Sequence, residues 1–341
     1  MDPINEPHSH PETHLARARG ITACVLVGAG ALLIALPHRA VAQDSYPNKP
    51  IKIVVPFAAG SAVDTLPRLV AERLSARWSQ PIIVENKPGA AGNIGAEFVS
   101  RAEPDGYTLL SSPPPPLVIN QHLYPRLGFD PSAFVPITVI AAAPNVLVIN
   151  PKVPATNIHE LIEYARAHPG KLNYASPGNG TTPHLTAELL KMHSGIQIVH
   201  VAYKGGAPAV ADLLAGQVDM MFANLGDVLP HIKSGKLIAL AVGSEKRFPA
   251  LPDLPALSER FPGFVSIAWY AIVAPARTPP EIAAKLSSAI KDVLQLPEVA
   301  ARLRDMSATP GGGTPAQTAA FMKEEAERWG KVISTAAVKL D

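Results

Sequence analysis

The chain has 341 residues, with 30 Lys+Arg against 28 Asp+Glu and a formal net charge of +2. So even a balance carries no electrostatic footprint for nucleic acid, whose binders show a basic stripe or a domain pI above about 9. Hydrophobic residues make up 47%, which excludes a disordered chain, and the 36 prolines lack the glycine period of collagen.

Arg17 and Arg19 precede an uncharged apolar run, Ile21 to Leu36, followed by Ala40-Val41-Ala42. A basic start, an apolar run shorter than the about 20 residues of a spanning helix, and a small-x-small box predict a signal peptide over residues 1–42. Cleavage near Ala42 removes Cys24, the only cysteine, so the mature chain has no disulfide, cysteine nucleophile or zinc–cysteine site. No later uncharged apolar run is long enough to cross a bilayer, so the mature protein is expected to be soluble and exported.

Short β-branched runs then alternate with helical patterns, which predicts α/β units with mostly parallel strands. Ile51 to Val55 reads as a strand, Phe57-Ala58-Ala59-Gly60-Ser61 as a turn, and Ala62 to Trp78 as a helix with Leu66, Leu69, Val70, Leu74 and Trp78 at helical spacing. Pro81 to Val84 is a second strand, Asn86 to Gly95 a glycine-rich loop, and Tyr107 to Leu110 another strand. The same grammar restarts at Leu172 to Ala175, with Ser176 to Thr182 as the turn and Pro183 inside the first helical turn. Val199 to Tyr203, Val218 to Ala223 and Leu237 to Val242 are further strands, and Ala207 to Ala215 a helix stopped by Gly216. Two long apolar stretches, Val139 to Asn150 and Val265 to Ala274, read as connectors between two lobes. Two crossings give a discontinuous first lobe, 43–145 with 266–341, and a second lobe, 146–265.

The strand–turn–helix junction in each lobe is where a ligand could sit. A helix start presents unpaired N–H groups and the positive end of its dipole, so it holds an anion without a charged side chain. Gly60, Gly178 and Gly180 allow close backbone approach, and Ser61, Thr181 and Thr182 add hydroxyl donors. Asp64 lies in a first helical turn, where it either caps the helix or meets a ligand amine or hydroxyl. Catalytic signals are missing: the chain has no Gly-x-Ser-x-Gly elbow and no Gly-Lys-Ser/Thr phosphate loop. His184 and Glu188 are helically spaced but have no third ligand in view, so no metal is expected. The charged run Lys323, Glu324, Glu325, Glu327 and Arg328 reads as a solvated helix face packed by Trp329.

Tyr46 to Asp64, Glu85-Asn86-Lys87-Pro88-Gly89-Ala90-Ala91-Gly92 and Pro104-Asp105-Gly106-Tyr107-Thr108-Leu109 carry a resemblance. So do Ala175-Ser176-Pro177-Gly178-Asn179-Gly180-Thr181, Tyr203-Lys204-Gly205 and Asp212 to Asp219. Together they resemble the substrate-binding proteins of tripartite tricarboxylate transporters, the TctC-like or Bug family. The resemblance implies a two-lobed, type II (Venus-flytrap) periplasmic binding protein with two crossing hinge strands. It implies a monomer without cofactor or catalysis that delivers a small organic carboxylate to integral-membrane permease subunits. Carried onto this chain, the site comprises Phe57, Ala58, Ala59, Gly60, Ser61 and Asp64 from one junction. The other junction gives Ser176, Gly180, Thr181, Thr182 and His184, with Tyr203 and Asn224 from adjoining strand ends. Ser61 and Pro67 depart from the family pattern, as does Pro113-Pro114-Pro115-Pro116, which is expected to border the cleft. A sensor-kinase accessory and a periplasmic hydrolase are the alternative readings.

Overall fold

The computed structural model describes residues 46–340, so the expected signal peptide lies outside the described residues. Strand β1 (Ile51–Val55) is buried along most of its length because it runs parallel between β2 (Ile82–Asn86) and β3 (Thr108–Ser112). Helix α1 (Ala62–Trp78) connects β1 to β2; it buries Leu66, Val70, Ala71 and Leu74 and ends at Ser79 in a left-handed conformation. The glycine-rich segment predicted as a loop is instead a single 3-10 turn over Ala90–Gly92 leading into α2 (Asn93–Ser100). Gly95 serves packing there: a Cβ on it would lie 2.7 Å from the Pro56 ring, so its absence lets α2 settle on the end of β1.

The next strand, β4 (Val135–Ile149), is the longest. Then come α3 (Ile158–Ala167), β5 (Asn173–Ser176), α4 (Thr182–Ser194), β6 (Val199–Ala202), α5 (Gly206–Leu214), β7 (Met220–Asn224), α6 (Leu225–Lys233) and β8 (Ile238–Val242). The chain closes with α7 (Leu257–Arg260), β9 (Ile267–Ala274), α8 (Pro280–Leu294), α9 (Pro297–Asp305), β10 (Thr309–Pro310) and α10 (Pro315–Thr335). The sheet path is β2-β1-β3-β9-β4-β7-β5-β6, with β8 and β10 also on β4. Parallel pairing holds within each end of this path, while β9 and β4 run antiparallel to each other through its middle.

β4 changes partners along its length. Residues 135–144 pair with β9, and 145–149 pair with β7 and β8. The change falls at Asn145, where three backbone hydrogen bonds tie three segments together. The Gly243 amide donates to the Asn145 carbonyl (2.6 Å), Ser266 to Gly243 (2.6 Å), and Asn145 to Ser266 (3.2 Å). A side chain on Gly243 would meet the Ser266 carbonyl at 2.7 Å, so this crossing admits only glycine. Asn145 Nδ2 donates to Ser266 Oγ (2.7 Å), and that hydroxyl in turn bonds to the Thr186 hydroxyl on α4.

One apolar cluster on the α4/α10 side contains Leu110, Leu147, Tyr174, Leu185, Trp269 and Trp329, so it runs under both ends of the sheet. Glu325 was expected on a solvated face, but only 8% of it is exposed. Its carboxylate accepts hydrogen bonds from Trp269 Nε1 (2.8 Å), Trp329 Nε1 (3.2 Å) and Arg328 Nε (2.9 Å). The two buried indole N–H groups need an acceptor, and Glu325 supplies it from the helix that covers them. Glu325→Gln keeps the shape but turns charge-assisted bonds into neutral ones. We expect a loss of about 1–2 kcal/mol in urea unfolding, with Trp fluorescence as the probe.

Candidate functional site

Strand direction fixes where the two junctions point. β1, β2 and β3 run parallel to β4, toward its C-terminal half, whereas β5, β6 and β7 run against it. The C-terminal ends of the two sets therefore face each other across the zone of Asn145. Contacts bridge that zone. A Cβ on Gly180 would lie 2.6 Å from Leu123 Cδ1 and 3.9 Å from Asn120 Oδ1, and one on Gly226 would collide with the Met306 carbonyl.

At the first junction Ala58, Ala59, Gly60 and Ser61 are exposed and Phe57 is half-buried. The Phe57 ring packs beside Gly92 and Pro116, where a Gly92 Cβ would sit 3.1 Å and 3.0 Å from them. Pro113 to Pro116, expected at a cleft border, are all buried, and Pro115–Ile119 form one π-helical turn. Asp64 is buried, and its carboxylate accepts from Gly60 N (3.2 Å), Arg68 Nε (3.0 Å) and Asn86 Nδ2 (2.9 Å). Burial pushes this carboxyl up, but the hydrogen bonds from Arg68, Asn86 and Gly60 outweigh it and hold it below the usual carboxylate range. The sequence reading offers Asp64 and the Gly60 amide to a ligand; the structure spends both on shaping the loop. What the junction presents is the Ser61 hydroxyl, which makes no capping bond, and the first-turn amides of Ala62 and Val63, which have no acceptor among the described residues.

The second junction repeats the device. The Gly180 amide donates to His184 Nδ1 (3.0 Å), just as the Gly60 amide donates to Asp64. In both cases a residue in the third position of a helix reaches back to a glycine with positive φ, +98° at Gly60 and +74° at Gly180. His184 is buried and stacks on His200 with ring centroids 4.1 Å apart. Burial, then His200 and Lys191, drive its imidazole down to about 3, so the ring is neutral and accepts from Gly180. Thr181 is the N-cap, yet its hydroxyl donates backward to the Gly178 carbonyl (2.7 Å). Ser176 Oγ pairs with His200 Nε2 (2.7 Å). Thr182 is buried, and its carbonyl accepts from Thr186 Oγ1 (2.6 Å). Glu188 accepts from Tyr174 (2.5 Å) and Lys191 (2.8 Å), away from His184's bond to Gly180.

Tyr203 and Asn224 lie on neighbouring strand ends of the same edge. The Tyr203 hydroxyl donates to Asp212 (2.7 Å), and burial together with that bond pushes the phenol up to about 12. Asn224 stands at the N-cap position of α6 without a side-chain capping bond and donates Nδ2 to Asp227 Oδ2 (3.3 Å), while its buried Oδ1 has no partner among the described residues. Asn120 and Asp227 were missed in the sequence reading. Asn120 is fully buried and gives Nδ2 to Asn93 Oδ1 (2.6 Å) and the Ala91 carbonyl (3.1 Å), leaving its own Oδ1 unpartnered. The spacing Asn224-x-x-Asp227 is the usual one for a helix cap and could have marked the start of α6.

These features were compared with known proteins. Residues 66–338 match the family described as the tripartite tricarboxylate transporter family receptor. Protein BugT of Bordetella pertussis is 37% identical over 303 residues, covering 88% of this chain and 93% of BugT. Among solved structures, R. palustris Rpa4515 with adipate superposes with a TM-score of 0.81 at 37% identity, over 86% of this chain and 99% of that one. MatC (Rpa3494) from Rhodopseudomonas palustris with bound malate does so with a TM-score of 0.77 at 32% identity, over 84% of this chain and all of the other. The mixed α/β fold is thus that of periplasmic solute-binding proteins, and the chain belongs to the tripartite tricarboxylate transporter receptor family.

Proposed function

We propose that this protein captures a small organic carboxylate between the opposed strand ends and delivers it to integral-membrane permease subunits. Residues 43–145 with 266–341 form one lobe and 146–265 the other, and β4 and β9 are the strands that cross between them. The protein works in the periplasm as a monomer after loss of residues 1–42, with no cofactor and no catalytic step. The observation that supports this reading is the opposite run of the two strand sets on either side of Asn145, which turns their C-terminal ends toward each other. The adipate and malate named with two similar structures support the ligand class.

Energetics set the terms of capture. One helix terminus contributes about 0.3–1 kcal/mol, or up to about 2 when partly buried, whereas micromolar binding needs about 8. Several charge-assisted hydrogen bonds of about 1.5–3 kcal/mol each, made in a gap that excludes water, supply the rest. The Ser61 hydroxyl and the Ala62 and Val63 amides are the donors on one side, and the Thr182 amide opens α4 on the other. A ligand that touches both sides binds the closed form better than the open one and shifts the population toward closure.

The test is a thermal-shift screen of the purified mature protein against organic acids, with calorimetry on the best hit. An acid at about a hundred times its Kd should add about 2.7 kcal/mol, or several degrees in Tm. Ser61→Pro removes one amide and one hydroxyl and should erase that shift. A panel of mono-, di- and tricarboxylates and amino acids that leaves Tm unmoved would overturn the proposal.

A further inference from the structure

The outermost strand at one end of the sheet path, β2, finishes beside the loop of the first junction. Its last residue, Asn86, is in register with Val55, the last residue of β1, and so stands level with the point where that loop departs. Ala58, Ala59, Gly60 and Ser61 are exposed, and nothing lies within 4 Å of a Cβ position on Gly60, so packing does not hold the crest of the loop. Side-chain hydrogen bonds hold it instead. Asn86 Nδ2 donates to the Phe57 carbonyl (2.9 Å) and to Asp64 Oδ1 (2.9 Å), while Asn86 Oδ1 accepts from Arg68 (2.8 Å). Arg68 Nε also donates to Asp64 Oδ1 (3.0 Å), and Asp64 Oδ2 accepts from the Gly60 amide (3.2 Å).

Asn86 thus grips the loop where it leaves β1 and, through Asp64, where it enters α1. A primary amide suits all three neighbours, since it has two N–H donors for a carbonyl and a carboxylate and an oxygen for the guanidinium. Aspartate in its place would set a second carboxylate against that of Asp64, and alanine would release all three groups. Asn86 and Phe57 are only half-buried, so water can take over the lost bonds and the fold survives. What is lost is the single arrangement of the Ser61 hydroxyl and the Ala62 and Val63 amides, and donors that must first be ordered bind an acid less tightly. The strand at the other end of the path repeats the plan. His200 on β6, in register with Tyr174 of β5, bonds through Nε2 to Ser176 Oγ (2.7 Å), which accepts from the Gly178 amide (3.2 Å).

We infer that Asn86 is the positioning residue of the first junction: it holds the 57–61 loop and the start of α1 in one arrangement before a carboxylate arrives. This inference rests on the carboxylate reading above and deepens it by naming what fixes the donors.

Calorimetry with malate, adipate and the acid that raises Tm most in the screen above tests it. Asn86→Ala should weaken binding about tenfold or more, and Asn86→Asp should weaken it further. Adding Asp64→Asn to Asn86→Asp returns one amide, one carboxylate and the Arg68 cation to the cluster, so the double variant should regain about threefold or more over Asn86→Asp. Ser75→Ala deletes a comparable bond at the far end of α1, from Ser75 Oγ to the Gln80 carbonyl (2.8 Å), and should leave affinity unchanged. Circular dichroism verifies that each variant folds. In the free protein, NMR should find the Asp64 carboxyl titrating at higher pH in Asn86→Ala than in wild type, because burial raises it and the Asn86 bond is among those that hold it down. Affinity unmoved by Asn86→Ala, an equal loss in Ser75→Ala, a double variant no better than Asn86→Asp, or an unmoved Asp64 titration overturns the inference and leaves the carboxylate reading standing. Wild type that binds no organic acid overturns the carboxylate reading, and the Asp64 titration then decides the inference by itself.

Discussion

Replacing Gly180 by valine should destabilise the free protein by about 2–6 kcal/mol and abolish the Tm shift produced by a bound acid. Two costs add. Gly180 has φ +74°, a conformation that strains a β-branched residue by about 1–3 kcal/mol. The new Cβ would also lie 2.6 Å from Leu123 Cδ1, and overpacking a filled contact costs about 1–3 kcal/mol more. Relief of either strain moves the Gly180 amide off His184 Nδ1, which loosens the start of α4. Gly195 separates these costs, since its φ is +69° and nothing lies within 4 Å of its Cβ position. Gly195→Val should therefore show the backbone strain alone and keep ligand-induced stabilisation. Equal losses in urea unfolding for the two variants would mean that Gly180 does not contact the opposite side of the gap.

Much of this layout is legible in the sequence because local physics fixes it. β-Branched runs, a small-residue turn and the 3.6-residue spacing of Leu66, Val70 and Leu74 specify β1–α1, and Pro183 after Thr181 specifies the start of α4. The two apolar connectors are visible as well, since strands buried on both faces lose the polar alternation of a half-exposed strand. Tertiary bonds are another matter. Residue type marks Thr181, Ser176 and Tyr203 as donors, but only the folded chain shows their hydroxyls directed to Gly178, His200 and Asp212. Glu325 sits in a charged run and looks solvated until Trp269, more than fifty residues earlier, is seen to need its carboxylate. Asn120 and Asp227 carry no local signature of a site. Asn120 keeps a buried side-chain oxygen without a donor among the described residues, and such a lack is a property of the whole fold.

His184 gives the second large effect, a loss of stability on acidification that begins well above the carboxylate range. Its imidazole stays neutral down to about 3 because burial, His200 and Lys191 all oppose a positive charge there, whereas the unfolded ring titrates at 6.5. Between those values the unfolded chain binds a proton that the folded chain does not. The stabilisation is therefore complete above about pH 6.5 and drains as pH falls, at up to about 1.4 kcal/mol per pH unit and about 3–5 kcal/mol in all. Asp64 works in the same direction but later: its carboxyl is depressed below 3.8, so its contribution is lost only under more acidic conditions. Urea midpoints between pH 6.5 and 4.5 thus report His184 before the carboxylates titrate. His184→Gln, which cannot take up the proton, should start from a lower stability at pH 7 and flatten the slope across that window. An unchanged slope in the variant would assign the acid loss to other groups. In the folded protein the neutral Nδ1 keeps accepting from the Gly180 amide across this window, because the destabilising proton is bound by the unfolded chain. Carboxylate affinity of the folded protein should therefore hold across that window and fall only as pH nears about 3, where the folded ring takes up its proton.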